Sequence, residues 1–369
     1  MPTTKAEKGA VANWLRPSLN WLLAFLPVAV GLEHWGPSPV LVFFAAALAL
    51  VPIASWIVHA TEQLASHTGD AVGGLLNGTF GNAPEIIIGV VALRAGLFEM
   101  VLASLVGAIL ANLLLALGLA FFLGGLRYRE QSFRPEAARA YMSMMLLAVT
   151  SMAVPSALHA GSGASAVAGE RHLNLAVVVL LIASYGLYIF FMLSTHKHLF
   201  AAEESPRGHR VGGARWGVPR SLATLAAASV LAAWMSELLV GAAEGTGQAL
   251  GLSKAFIGLV FLAIVGGAAE SGSAIAMGRA NRMDLAVGIA VGSCIQIALF
   301  VAPLLVLLSF VVAPQPMLLQ FPRPQVVTTF IAVVVAAVVI GDGRSNWFKG
   351  LQLVVVYALI ALLAYFAPG

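Results

Sequence analysis

Apolar runs long enough to cross a bilayer follow one another from residue 17 to residue 366, and no other property limits the fold of this chain so tightly. As helices, about eleven such runs of roughly 17–29 residues each span a hydrocarbon core of about 30 Å, the longer ones with tilt. They lie near 17–34, 38–61, 70–94, 97–123, 136–158, 173–194, 219–242, 255–278, 284–312, 325–341 and 346–366. The chain is 60% hydrophobic and 10% charged, with a mean hydropathy of +0.93. A soluble fold of 369 residues has too little interior to hide that much apolar surface. The sequence therefore predicts an all-α polytopic membrane protein with no appended globular module.

Basic residues orient the spans, because cytoplasmic loops retain Lys and Arg. Lys5, Lys8, Arg16, Arg127, Arg129, Arg134, Arg139, Lys197, Arg207, Arg210, Arg215, Arg220, Arg279, Arg282, Arg344 and Lys349 fall on one side, leaving Arg94, Arg171, Lys254 and Arg323 on the other. The split puts the N-terminus in the cytoplasm and the C-terminus outside, and makes the first span a retained helix rather than a cleaved signal. The pI near 9.4 is then a consequence of topology. No basic stretch is interleaved with aromatics, so nucleic acid is not an expected partner; membrane lipid is.

The single cysteine, Cys294, excludes an internal disulfide and a cysteine-based metal centre. The longest polar interruption, near 195–218, reads as a cytoplasmic linker between two halves. Its His196, His198 and His209 read as surface-loop residues rather than a metal site, and Glu203 and Glu204 as a solvated acidic pair. The expected division is a tail with an extra helix (1–37), a first repeat (38–194), the linker (195–218) and a second repeat (219–369).

Each half carries the same design inside an apolar run: Gly81–Asn82–Ala83–Pro84–Glu85 in the first, Gly266–Gly267–Ala268–Ala269–Glu270 in the second. Glu85 is followed one helix later by Gly107 and Asn112, and Glu270 by Gly292, Ser293 and Gln296. Upstream, Thr61–Glu62 matches Ser236–Glu237. An odd number of spans separates the two copies, so they run oppositely through the bilayer. This is the inverted repeat on which many secondary transporters alternate access.

Acids at mid-membrane are expensive and functional by default. Gly81 and Pro84, and Gly266 with Gly267, are expected to interrupt the helix just before each acid and free backbone carbonyls. Two carboxylates, the Asn112 and Gln296 amides, the Ser293 hydroxyl and carbonyls suit a hard divalent cation such as calcium. Once the cation leaves, repulsion and desolvation favour protonation, so cation and protons compete for the same oxygens. Sodium or potassium exchange for protons is the alternative in the same class. A channel is disfavoured by the lack of a filter-like carbonyl motif, and a hydrolase by the lack of a histidine near Ser271 and Ser273.

The stretch Leu75–Leu76–Asn77–Gly78–Thr79–Phe80–Gly81–Asn82–Ala83–Pro84–Glu85 closely resembles the first signature of the calcium/proton exchangers, the CAX branch of the cation/calcium exchanger superfamily. Ser104 to Leu114, Ser236 to Gly241 and Asp284 to Val301 are similar to its further segments. The resemblance implies about eleven helices, one extra N-terminal helix followed by two inverted repeats of about five, with calcium exported against proton entry. It implies no enzymatic activity and no cofactor, calcium being the cargo, and a location in a bacterial inner membrane. By motif position, Glu85 and Glu270 are the cation and proton carriers, with Asn82, Asn112, Ser293 and Gln296 around them. It also implies sliding of spans one, two, six and seven against the central helices. Family members commonly have Asn and His where this chain has Gly267 and Ser271, and many have Ser at the place of Ala108. These departures remove ligands beside Glu270, leaving Ser271 to supply one oxygen.

Overall fold

The computed structural model describes residues 18–36, 38–68, 73, 76, 78–161, 167–200 and 216–366. The N-terminal tail with Lys5, Lys8 and Arg16, the signature residues Leu75 and Asn77, and the linker stretch with Glu203, Glu204, Arg207, His209, Arg210 and Arg215 lie outside the described residues.

Helices account for the described chain except for one short ribbon and the connecting segments. A 3₁₀ turn, Leu19–Ala24, leads into α1 (Phe25–His34). Ser38 then caps α2 (Pro39–Ala65) by accepting from the Val40 amide, with Pro39 in the first turn, where an N–H has no partner to lose. After α3 (Ala83–Arg94) come α4 (Phe98–Tyr128), α5 (Pro135–Gly161) and α6 (Val167–Phe190), which is extended by a π turn to Thr195. The second half holds α7 (Val218–Leu250), α8 (Lys254–Gly266), α9 (Ala268–Arg279), α10 (Met283–Val312), α11 (Arg323–Ile340) and α12 (Trp347–Phe366). Gly251 ends α7 at φ +67°, a left-handed cap that glycine adopts without a Cβ penalty.

Eight of these helices are long and apolar enough to cross a membrane, and a ninth crossing forms if α8 and α9 are taken as one span bent by 60°. The sequence pattern suggested eleven, and the difference falls at three places. The first apolar run becomes the short helical stretch Leu19–His34. The run near 70–94 is interrupted at Gly81–Asn82, with residues 78–80 helical before the break and α3 after it. The run near 255–278 is the bent α8–α9 pair. Breaks at Gly81–Asn82 and at Gly267 end the helices where the acids stand, so continuous hydropathy overstates continuous helix.

Two apolar cores hold the bundle. The smaller joins α1, α2 and α7 through residues such as Phe43, Leu50, Ile53, Met235 and Leu239. The larger gathers α4, α5, α6, α10, α11 and α12 around Leu113, Leu117, Phe121, Met145, Ile295 and Val333. Both α3 and α8 contribute to each core: Ile88 and Leu262 to the smaller, Leu93 and Leu259 to the larger. The site helices thus lie along the seam. Span six, expected to move with spans one, two and seven, is α6, and Val178, Leu181 and Tyr185 pack it into the larger core.

The seam is close because glycine lines it. A Cβ on Gly107 of α4 would fall on the Leu259 carbonyl of α8, and one on Gly258 would reach the Met100 carbonyl of α4. Outward faces of α6, α7, α11 and α12 expose Leu, Val and Phe side chains, as lipid contact requires. On one face of the molecule, β1 (Glu130–Ser132) pairs antiparallel with β2 (Arg344–Asn346), Gln131 opposite Ser345. Gln131 Nε2 donates to Gly278 O and Asn281 Oδ1, and Arg134 to His198 O. The loops richest in basic residues therefore meet at one end. The opposite end joins Gln320 to Glu170 and the Leu319 amide to Asn174.

Candidate functional site

Both halves set a carboxylate in the first turn of a helix that begins inside the molecule. α3 opens at Ala83 after the turn at Gly81–Asn82, with Pro84 and Glu85 in its first turn. α9 opens at Ala268 after Gly267, with Glu270 in the matching place. Pro84 therefore starts its helix, and the interruption comes from Gly81–Asn82 alone. The helices run oppositely: α3 ends beside Glu237, whereas α9 ends beside the Gln131 ribbon. Each points its positive N-terminal end towards its acid, which favours negative charge there.

The carboxylates have been left free. Both oxygens of Glu85 and Oε2 of Glu270 are buried with no hydrogen-bond partner, and neither acid makes an ion pair among the described residues. Glu85 passes along Gly266, its Cγ 3.2 Å from the place a Cβ would occupy. Gly267 leaves room for Asn112, whose Nδ2 lies 3.4 Å from a Cβ built there. The Gly267 carbonyl itself accepts from the Ser271 amide at 2.9 Å, and the Asn82 carbonyl from the Ile86 amide at 3.0 Å. These two carbonyls belong to the following helices and are not freed by the breaks.

The amides, by contrast, are engaged with each other across the halves. Asn82 Nδ2 donates to Gln296 Oε1 at 2.6 Å. Asn112 Nδ2 donates to Ser293 Oγ at 3.1 Å, and Asn112 Oδ1 accepts from Ser271 Oγ at 3.0 Å. Ser271, expected to offer an oxygen, thus props the Asn112 amide. Asn82 Oδ1 is the one amide oxygen of this set buried without a partner. All the site residues read from the sequence are brought to one place, and local breaks explain how. A π turn over Ala111–Ala116 begins next to Asn112, and another over Ile297–Val301 follows Gln296. Each adds a residue to the turn and re-aims the side chains beside it.

A cavity of about 240 Å³ runs from this cluster towards the ribbon end, lined by Glu62, Glu270, Ser273, Asp284, Ser293 and Gln296 among others. At the other end Arg94 Nη1 and Glu237 Oε1 stand 3.8 Å apart. Among the described residues no group of three or more His, Cys, Asp or Glu side chains is arranged to hold a metal ion. A cation bound here would take two carboxylates, with hydroxyl, amide and water oxygens completing the shell. Asp284 and Glu62 in the cavity, and Tyr185 behind Gln296, were not anticipated as site residues. The signal for Tyr185 was a hydroxyl in a span that also holds Ser184 and Tyr188, and periodicity alone does not say which of them faces the site.

The family description "sodium/calcium exchanger protein" matches residues 38–194 and 220–366, more than half of the chain. The chain belongs to the sodium/calcium exchanger family. Within the exchanger family it stands with the calcium/proton exchangers. The Ca(2+)/H(+) antiporter of Aphanothece halophytica is 38% identical over 362 residues, spanning 94% of this chain and 96% of that protein. The Ca(2+)/H(+) antiporter ChaA of Bacillus subtilis is 39% identical over 338 residues, spanning 91% and 95%. The solved structure of native YfkE superposes with a TM-score of 0.81 at 35% identity, covering 95% of this chain and all of that one. The crystal structure of the H+/Ca2+ exchanger CAX, at 14% identity, shares the fold with a TM-score of 0.69, covering 94% and 91%. This exchanger-family chain is accordingly an integral membrane transporter and not an enzyme.

Proposed function

We propose that the chain is a calcium/proton antiporter that alternates access to a mid-membrane site built on Glu85 and Glu270. The observation that carries this reading is the pair of buried carboxylates without a basic partner. Two unpaired acids gathered into one site repel and are poorly solvated, and either one divalent cation or protons remove that charge. Only one of the two loads satisfies the oxygens at a time. That exclusion couples calcium leaving in one direction to protons entering in the other. The relatives named as Ca(2+)/H(+) antiporters support calcium as the cargo.

The two family-matched stretches support a division into repeats at 38–194 and 219–369, joined by the linker 195–218 and preceded by the extra helix of 1–37. The basic loops at the ribbon end support that end as cytoplasmic, with the N-terminus on the same side, in a bacterial inner membrane. In this arrangement the cavity faces the cytoplasm, and Glu62 and Asp284 draw cations towards Glu270. The Arg94–Glu237 contact marks the closed end.

Inverted vesicles with an imposed proton gradient test the proposal. Calcium is expected to dissipate the gradient, and Glu85→Gln or Glu270→Gln to abolish the response; full exchange by either variant removes that residue from the site. Because protons and calcium compete, lowering the pH on the calcium-loading side should raise the apparent KM for calcium and leave the maximal rate within about twofold. A series of calcium, manganese, sodium and potassium on the same vesicles fixes the cargo. A response to potassium alone would replace calcium as the substrate.

A further inference from the structure

Behind the Asn82–Gln296 bond lies a hydroxyl with no partner. Tyr185 of α6 is 4% exposed, and its oxygen makes no hydrogen bond among the described residues. Its ring stacks on Phe300 at 5.4 Å with 27° between planes. Phe300 stands one turn after Gln296, so the tyrosine packs on the helix face that carries the glutamine. The hydroxyl fills the space left by Gly78, since a Cβ on that residue would land on the tyrosine oxygen and 3.8 Å from Gln296 Nε2. The carbonyl of the same glycine accepts from Asn82 Nδ2 at 3.4 Å. Tyrosine, glycine, asparagine and glutamine thus share one corner of the site.

A buried hydroxyl without a partner destabilises the state that contains it, and phenylalanine would fill the same volume without that penalty. Shape alone therefore does not account for tyrosine here. In the state described Gln296 Oε1 accepts from Asn82 at 2.6 Å, a bond that fixes the orientation of the carboxamide, so a rotation that re-aims this oxygen at a cation lets Asn82 go. When it turns, its Nε2 needs an acceptor. The tyrosine oxygen and that nitrogen both border the place of a Cβ on Gly78, and the oxygen has free acceptor capacity.

We propose that Tyr185 is a positioning residue for cation binding, taking over the Gln296 amide nitrogen when the Asn82–Gln296 bond opens so that Gln296 Oε1 turns to the cation. The inference rests on the exchanger reading above and deepens it. Gly78 is the complementary part, because only its missing side chain admits the hydroxyl. Asn82 keeps its bond to the Gly78 carbonyl throughout and is ready to take Gln296 back once the cation has left.

The test is Tyr185→Phe in proteoliposomes, with wild type and Glu85→Gln measured in the same preparation. The apparent KM for calcium should rise roughly fivefold to tenfold, as for one lost hydrogen bond, with the maximal rate within about twofold. Thermal stability in detergent should be equal or higher, because an unsatisfied group has been removed. An unchanged KM, or a joint fall in rate and stability, overturns the inference. Wild-type vesicles that show no calcium-dependent proton movement would instead sink the exchanger reading itself. Gly78→Ala gives a second readout: it should impair exchange with Tyr185 present and be partly rescued by Tyr185→Phe. Equal damage in both backgrounds also overturns the proposal.

Discussion

Gly266 and Gly267 look alike in the sequence, yet each does a different job. The first is a spacer: with Glu85 Cγ 3.2 Å from the place of a Cβ, Gly266→Ala must push the carboxylate by a few tenths of an ångström. The expected result is a threefold to tenfold rise in the apparent KM for calcium, by roughly 0.5–1.5 kcal/mol of displaced ligand interaction, with folding intact. Gly266→Val should abolish exchange in the vesicle assay. Gly267 has more room, its nearest neighbours being Ala263 O and Asn112 Nδ2 at 3.4 Å. Gly267→Asn should therefore fold, return an amide beside Glu270 and lower the calcium KM by about threefold. Unchanged affinity in a folded Gly267→Asn protein would show that an amide there does not reach the cation. At this scale the acids and their spacing were legible in the chain. The pairing of Asn112 with Ser271 and Ser293 was not, because it joins residues from both halves.

Among elements, the seam between α4 and α8 decides how the halves hold together. Gly107 and Gly258 let the two helices approach until each glycine faces the other helix's backbone. Side chains move aside more readily than backbone does, so Gly107→Ala should destabilise the fold by about 1–3 kcal/mol. That is a fall of several degrees in melting temperature measured in detergent. Gly241→Ala on α7, where nothing lies within 4 Å, is the matched control and should leave the temperature unchanged. The breaks at Gly81–Asn82 and Gly267 belong to the same scale. Apolar composition showed runs long enough to cross, while the 60° bend between α8 and α9 arises from packing at the seam together with a glycine that permits it.

For the whole molecule, the division into two cores says which helices pack together. α1, α2 and α7 form one unit, whereas the remaining long helices, α6 included, form the other, and the acids stand between them. The sided cavity makes a matching prediction. Cys294 is the sole cysteine and is buried, so a Cys294→Ala background suits labelling by membrane-impermeant thiol reagents. Ser273→Cys, exposed and lining the cavity, should react in inverted vesicles, and Ala95→Cys, exposed after α3, only in right-side-out ones. The reverse pattern would turn the molecule over in the membrane.

Membrane residence, the mirrored acids and the gathering of basic loops at one end could all be read from the chain, because hydropathy, charge and motif spacing are local and add up along the backbone. Tertiary packing alone settled which oxygens are spent and which are free. Asn82 reaches Gln296, Asn112 is held between two serines, Tyr185 stands behind the glutamine, and Glu85 leans on a glycine of the other half. Each of those relations spans more than a hundred residues of sequence. Their geometry follows from how closely two helices approach at the seam, a property that no single stretch of the chain contains.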